Sequence, residues 1–333
     1  AEVRAALGLP GPLTPEAAHL LTSKDAMKAV LLGAGIDTAR WTVARDRAEL
    51  DLGGLNYPVV AKPVGGTGSL GVVFARDRGR LEAALDASFA HAGPAGVLVE
   101  EFIEGTELSI DCMVTGGAVH VLLARERHKT WTPDGLEATC HGTVAPADLP
   151  GAVRAAMEAQ ARAIARAFGV TDGPLLIQAI RDPGDRLVVL EVAGRIGGGP
   201  GASRVVELST GFGYVAASID QQLGRPVRVT RHDDDGVYGA ANIYAGEGVF
   251  HEIRGMDAAC RDGLISEYYV YRTPGERIGP RISGRSRVTA FAIRGRDRAD
   301  LKARMQAVMD RVEITDPEGR SILRRDIGLH LSL

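Results

Sequence analysis

The segment 174–201, PLLIQAIRDPGDRLVVLEVAGRIGGGPG, constrains this chain more than any other. Leu175–Ile180 and Leu187–Val192 are apolar, β-branched runs of strand length. Asp182-Pro183-Gly184-Asp185 between them is turn chemistry, so the stretch reads as a β-hairpin. Its second strand ends in Glu191, an acid in an apolar run, followed by Arg195 and the glycines Gly197, Gly198, Gly199 and Gly201. A carboxylate at a strand end, a cation four residues on and glycines that admit a ligand to the backbone suit a metal–phosphate site. Glu191 by itself also reads as a solvated charge on a surface hairpin. What lies upstream weighs against that plainer reading.

A chain of 333 residues is too long for one small core, so two or three subdomains are expected. Its 45% hydrophobic content fits a globular protein, and no apolar run reaches membrane-spanning length. The chain opens at Ala1 on a helix-like piece and an extended Gly8–Pro12, which reads as the tail of an upstream domain, without a signal peptide. A net charge of −3 with interspersed signs argues against a nucleic-acid partner. Cys112, Cys140 and Cys260 are odd in number and widely spaced, which suits a reducing cytoplasm. Cys140 beside His141 is a buried thiol rather than a nucleophile pair, since sequence neighbours point different ways.

Ser23 can cap a helix through Lys24, Met27, Val30 and Leu31, ended by Gly33 and Gly35. Lys24 falls in its first turn, where the helix dipole disfavours a cation; it is a solvated lysine or a phosphate contact. Tyr57–Ala61 is a strand ending in Lys62-Pro63, followed by a glycine loop through Gly65, Gly66, Thr67, Gly68 and Ser69 to Gly71, then a strand Val72–Ala75. This order differs from a P-loop, in which the lysine follows the glycines and opens a helix. A glycine hairpin can fold over a triphosphate while Lys62 supplies a point charge. Asp77 starts an amphipathic helix with Leu81, Leu85 and Phe89.

Val97–Val99 leads into Glu100-Glu101-Phe102-Ile103-Glu104-Gly105, and Glu107–Val114 alternates as a strand. The acids are solvated charges, or an adenine hinge in which a carboxylate accepts from the exocyclic amine, with Glu107 placed for ribose hydroxyls. Ala118–Arg125 is a further strand, and His128–Pro150 reads as irregular. In that segment His128, Lys129, Glu137 and His141 are candidate substrate contacts; His128 and Lys129 read better as loop polar groups. Val153–Phe168 is an amphipathic helix. Arg204–Leu223 is another, interrupted at Gly211–Gly213, with Val205, Leu208, Val215, Ile219 and Leu223 as its apolar positions. Strands at Val237–Tyr244 and Val288–Ile293 and a helix at Asp300–Val312 follow.

Lys24, the Lys62 glycine loop, Glu100-Glu101-x-x-x-Gly105-x-Glu107 and the Glu191/Arg195 hairpin occur in an order that resembles the ATP-grasp superfamily over roughly Thr22 to Gly224. His141 with Pro146-Ala147-x-Leu149 before a long helix, the form Glu191-x-Ala193-x-Arg195 and the last third resemble its L-amino-acid (dipeptide) ligase branch. The resemblance implies an α+β ATP-grasp fold. The divisions are 1–36 (a remnant with the phosphate-contact helix), 37–98 (small subdomain), 99–224 (large subdomain) and 225–333 (C-terminal α+β subdomain). It implies ATP and Mg²⁺ as cofactors. Lys24, Lys62 and the loop Gly65–Ser69 meet the phosphates; Glu100, Glu101 and Ile103 form the adenine hinge; Glu107 holds ribose. Glu191 binds Mg²⁺ with Gln178, which stands where a second acid is usual. Arg195 and Lys62 are the catalytic residues, and His141, Glu137, Arg195, Gly198 and Gly199 meet substrate. The activity implied is ADP-forming ligation of an amino acid or peptide-like acid to an amine through an acyl phosphate. A purine- or biotin-type carbon–nitrogen ligase or carboxylase, and a nucleotide-binding module without catalysis, are the alternatives. Small amino-acid-like substrates and a homodimer are the expected partners, with neither nucleic acid nor membrane.

Overall fold

A computed structural model describes residues 1–65, 71–131, 138–232, 234–280, 282 and 284–328. Helices α1 (Glu2–Ala6), α2 (Pro15–Leu20) and α3 (Lys24–Gly33) open the chain. Thr14 caps α2 by accepting from the Ala17 amide at 3.1 Å. Ser23 occupies the N-cap position of α3, yet its hydroxyl donates to the Asp25 carboxylate instead of accepting a backbone amide. The carboxylate is the stronger partner, so the expected cap is replaced by a local side-chain bond.

Four strands follow: β1 (Trp41–Ala44), β2 (Val59–Pro63), β3 (Val73–Ala75) and β4 (Val97–Glu101). They form an antiparallel sheet in the order β1-β4-β2-β3. Helix α4 (Arg78–Ala92), capped by the Asp77 carboxylate on the Arg80 amide at 2.8 Å, lays Leu81, Ala84 and Leu85 on Val59, Ala61, Val73, Val97 and Val99. All of β4 belongs to this sheet, so a division at residue 98 would cut a strand.

The remaining elements are β5 (Thr106–Thr115), β6 (Ala118–Trp131), β7 (Ala138–Ala145), α5 (Gly151–Ala167), β8 (Gly173–Arg181), β9 (Leu187–Ala193), α6 (Pro200–Ser203), α7 (Val205–Thr210) and α8 (Tyr214–Gln222). After them come β10 (Val237–Tyr244), β11 (Gly248–Val249), β12 (Glu252–Arg254), α9 (Met256–Arg261), β13 (Glu267–Val270), β14 (Arg277–Ile278), β15 (Arg287–Gly295), α10 (Arg298–Met309) and β16 (Glu313–Thr315). Among the described residues an eight-stranded sheet runs β13-β15-β10-β7-β6-β5-β8-β9, and β11/β14 and β12/β16 form small pairs. The residue-224 division is one of chain and not of sheet, because β10, β13 and β15 extend the sheet begun by β5–β9. Separate cores lie along it: α5 packs Val153, Met157, Ala161 and Ile164 with Leu175, Ile177 and Val189, and α10 packs Leu301, Met305 and Val308 with Phe291 and Ile293.

Two expectations are corrected. Segment 128–150 is not irregular throughout: among the described residues β6 runs on to Trp131 and β7 spans Ala138–Ala145. Thr139 and Thr143 of β7 face a polar cavity, so this strand lacks the apolar alternation that would mark it. In α8 the buried face is Tyr214, Ala217, Ser218 and Gln221, while Val215, Ile219 and Leu223 are exposed. Two polar anchors set that phase: the Tyr214 hydroxyl donates to the Cys112 carbonyl at 3.0 Å, and Gln221 Nε2 to the Val114 carbonyl at 2.8 Å. Apolar side chains left on a helix's outer face are ordinary. Among the described residues no helix is long and apolar enough to cross a membrane.

Candidate functional site

The β8–β9 hairpin is the hub. Asp182 closes it, its carboxylate accepting from the Gly184 and Arg186 amides, both at 2.9 Å. Gln178 pairs directly with Glu191, and the register then shifts so that Ala179 faces Val189. Leu190 is therefore a bulge residue. A bulge resets the in/out alternation, which lets Leu190 and Glu191 both line a cavity. Gln178 and Glu191 border two cavities, one of about 520 Å³ and one of about 290 Å³, which also share Arg127 and Ala138.

The larger cavity lies against the small sheet and carries Lys24, Lys62, Glu100, Glu101, Ile103 and Glu107. Lys62 and Glu100 are diagonal neighbours on β2 and β4, and their side chains meet at 2.5 Å. Lys28 of α3, 1% exposed, reaches the other Glu100 oxygen at 2.7 Å and donates to the Thr38 hydroxyl at 2.8 Å. Burial pushes the Glu100 carboxyl up, but the Lys62 and Lys28 charges outweigh it and hold it below its ordinary value. Burial also depresses the Lys24 ammonium, against the attraction of Glu191. Lys24 Nζ lies 3.3 Å from the Val64 carbonyl, at the foot of the glycine loop.

Both acids of the expected hinge have partners within the protein. The Glu100 carboxylate is clamped by two ammoniums. The Glu101 carboxylate pairs with Arg40 and accepts from the Asn56 amide at 2.8 Å. Both Glu100 oxygens thus have an ammonium partner, whereas both Glu101 contacts fall on Oε1. Beside them Phe74, Phe102 and Trp131 form an aromatic wall, with Phe74 ring centroids 4.9 Å from Phe102 and 5.3 Å from Trp131. Glu107 lines the cavity with its carboxylate engaged by Lys129 and, at 2.8 Å, by Arg127 Nε. Those two cations hold its carboxyl below the ordinary range despite burial.

The smaller cavity lies between β7, β10 and the glycine loop after β9. Arg125 Nε donates to Asp111 Oδ2 at 2.6 Å and its Nη2 to Oδ1 at 3.2 Å, deep in the sheet. Burial raises the Asp111 carboxyl, in spite of Arg125. Arg195 lines this cavity and donates to the Ile196 carbonyl at 3.0 Å. Gly197, Gly198 and Gly201 line it as well. A Cβ at Gly201 would lie 2.8 Å from Arg125 Nη1, so the loop seats directly on that guanidinium.

The expected site residues thus separate into groups. Lys24, Lys62, Glu100, Glu101, Ile103 and Glu107 gather at the larger cavity, Arg195 and Gly198 at the smaller, and Gln178 and Glu191 at both. Gly65 is exposed and borders neither. Gly199 does not line the cavity itself but lies behind Arg287, which does: a Cβ there would be 3.1 Å from Arg287 Nη1. His141 is buried and borders neither cavity. It is the extra residue of a β-bulge, since His128 pairs with Gly142 and Lys129 with Cys140, and its ring packs 6.5 Å from that of His128. Gly66, Thr67, Gly68, Ser69 and Glu137 lie outside the described residues. Among the described residues no three His, Cys, Asp or Glu side chains converge as a metal cage.

Sequence reasoning missed Lys28, Asp111, Arg125, Arg127, Asn242 and Arg287. A signal existed for three of these residues, Asp111, Arg125 and Arg127. Glu107-x-Ser109-x-Asp111 and Arg125-x-Arg127-x-Lys129 each repeat with period two, opposite in charge, on strands that pair as Ser109 with Arg125.

Residues 55–203 match the ATP-grasp domain family, and residues 242–315 match L-amino acid ligase C-terminal domain 2. The chain is 30% identical to a phosphoribosylamine–glycine ligase of Phenylobacterium zucineum, with 96% of this chain and 78% of that protein covered. It is 25% identical over 276 residues to the L-arginine-specific L-amino acid ligase of Bacillus subtilis, covering 80% of this chain and spanning 61% of that protein's length. The L-amino acid ligase structure from Bacillus licheniformis superimposes with a TM-score of 0.79 at 24% identity, covering 95% of this chain and 77% of that one.

Proposed function

This chain belongs to the ATP-grasp family, and from that premise we propose that it is an ATP-dependent, ADP-forming ligase. It joins the carboxylate of an amino acid or small peptide-like acid to the amine of an amino acid through an acyl phosphate. One observation carries this reading: a lysine-lined cavity and an arginine-lined cavity meet at Glu191, Gln178 and Arg127. A nucleotide in the first and a carboxylic acid in the second would touch at that junction. The match of residues 242–315 to an L-amino acid ligase domain favours amino acids over a purine-type substrate, because Asn242, Tyr244 and Arg287 of the second cavity fall within it.

The roles follow from chemistry. The aromatic wall of Phe74, Phe102 and Trp131 offers a purine an apolar face, with the backbone near Ile103 beside it. Lys24 and Lys62 place two ammoniums for phosphate oxygens, and Glu100 holds Lys62 in position. Glu191 and Gln178 suit Mg²⁺, an ion that is commonly held by one or two protein oxygens plus substrate phosphates. Bound there, the ion would neutralise charge on the transferring phosphoryl group. Arg195, beside the glycine loop, is placed to stabilise the oxyanion that forms when the amine attacks the acyl carbon. The rest is positioning: Asp111 and Arg125 fix the floor beneath the loop. A reducing cytoplasm is the compartment that suits three free cysteines.

The test is phosphate release from the intact protein with ATP, Mg²⁺ and a matrix of amino-acid pairs. The reading is abandoned if no pair stimulates release. Gln178 favours one second reading, a nucleotide-binding module without turnover. Calorimetry that shows ATP binding with no phosphate released from any pair would establish it.

A further inference from the structure

The smaller cavity has two ends. At one it shares Gln178, Glu191 and Arg127 with the nucleotide-side cavity; at the other stand Asn242, Tyr244 and Arg287, which that cavity does not touch. Four arginines line it among the described residues. Arg125 is neutralised by Asp111 and Arg127 by Glu107. Arg195 stands at the glycine loop. Arg287 is the remaining one, and among the described residues only neutral groups hold it.

Its Nη1 donates to Asn242 Oδ1 at 3.1 Å, and its guanidinium lies 4.8 Å from the Tyr271 ring centroid. Asn242 is itself fixed. Its Nδ2 donates to the Cys140 carbonyl at 3.1 Å, which the Tyr244 hydroxyl also reaches at 2.8 Å. That donation turns the amide oxygen toward Arg287. The β7–β10 pairing reaches Gly142–Ala241 and stops short of Cys140, so the Cys140 carbonyl takes its donors from side chains. Gly199, at φ +75°, leaves the space Arg287 fills: a Cβ there would lie 3.1 Å from Nη1.

A half-buried guanidinium held by an amide and a ring has donors to spare and no acid partner among the described residues. Partial burial makes that uncompensated charge costly, and a carboxylate removes the cost through a forked pair. We propose that Arg287 binds the free carboxylate of the amine-bearing substrate, which makes the enzyme select amino acids over simple amines. The assignment rests on the ligase reading. The acid partner's carboxylate is consumed at the Glu191 end, whereas the amine partner's carboxylate survives. Seating it on Arg287 directs the amine back toward the junction of the two cavities.

The experiment compares wild type, Arg287→Gln and Arg287→Lys with an amino acid as amine substrate and with its carboxamide. Arg287→Gln raises KM for the amino acid roughly 10- to 100-fold, the worth of a hydrogen-bonded charge pair. It leaves KM for ATP and for the carboxamide unchanged, and Arg287→Lys recovers part of the loss. An equal effect on acid and amide overturns the proposal. Wild type without product from any pair ends the ligase reading instead. The carboxylate site is then read from the melting-temperature rise each amino acid and each amide gives. A rise confined to the acids and lost in Arg287→Gln supports the site. A rise that ignores the carboxylate, or no rise, overturns it.

Discussion

Gln178 stands directly across the β8–β9 hairpin from Glu191. Among the described residues Glu191 is the carboxylate that both cavities share, and its neighbour is an amide instead of a second acid. An amide oxygen can ligate a hard cation but adds no charge to offset it. Glu191→Gln is therefore expected to lower phosphate release by roughly 100-fold or more, since it removes the remaining charge. Gln178→Glu is expected to lower the Mg²⁺ concentration for half-maximal rate by about tenfold. Titration of activity against Mg²⁺ reads both. Unchanged Mg²⁺ dependence in Glu191→Gln removes it from the metal site.

Arg195 follows the hairpin by four residues and lines the smaller cavity, not the larger. That placement separates two functions. Arg195→Ala is expected to reduce ligation by about 10²–10³-fold, the usual loss for an oxyanion donor, while nucleotide affinity stays near wild type. Product formation and calorimetric ATP binding are measured on the same preparation. If ATP affinity falls as steeply as turnover, Arg195 belongs to the phosphate site.

The parts of the fold legible in sequence are those in which burial drives the pattern. The hairpin showed because Leu175, Ile177, Leu187 and Val189 pack in the core, and α5 showed because Val153, Met157, Ala161 and Ile164 repeat at helical spacing. Strand β7 did not show, because Thr139 and Thr143 face the smaller cavity. The site divides in the same way. Glu191, Lys62 and Arg195 stand out because charges beside glycines or in apolar runs are unusual. Arg287 and Asn242 did not stand out, since their meaning comes from β10 and β15 lying side by side, a pairing over 45 residues that no local pattern carries. Glu100 was legible as a site residue but not in its pairing. Its partner Lys28 sits on α3, where the sequence shows only an ordinary amphipathic helix.

Gly201 is held small by its neighbours and not by its backbone. A Cβ there would lie 2.8 Å from Arg125 Nη1 and 2.9 Å from Thr143 Oγ1. Arg125 cannot swing aside, because Asp111 holds it through two bonds in the sheet interior. Gly201→Ala is expected to cost about 1–3 kcal/mol and to lower the melting temperature. Gly198→Ala, where an added Cβ meets nothing within 4 Å, is expected to leave the melting temperature unchanged. Equal melting temperatures for the two variants would show that the loop floats clear of Arg125.

Glu100 links Lys62 to Lys28, and its folded-state carboxyl is held below its ordinary value. A carboxyl depressed on folding contributes stability that is present above its unfolded value, about 4.3, and is lost as pH falls through the lower folded value. Glu100→Gln leaves two buried ammoniums without a counter-charge. It is expected to cost roughly 3–5 kcal/mol near neutrality, the usual loss when one partner of a buried pair is removed. The difference in melting temperature between wild type and Glu100→Gln should then hold from neutrality to about pH 5 and shrink only as pH falls below the unfolded value toward 3 and lower, because the wild type protonates the group that the variant already lacks. Scanning calorimetry across that range measures it. A difference that stays constant with pH would mean that Glu100 stabilises the sheet through packing and not through its charge.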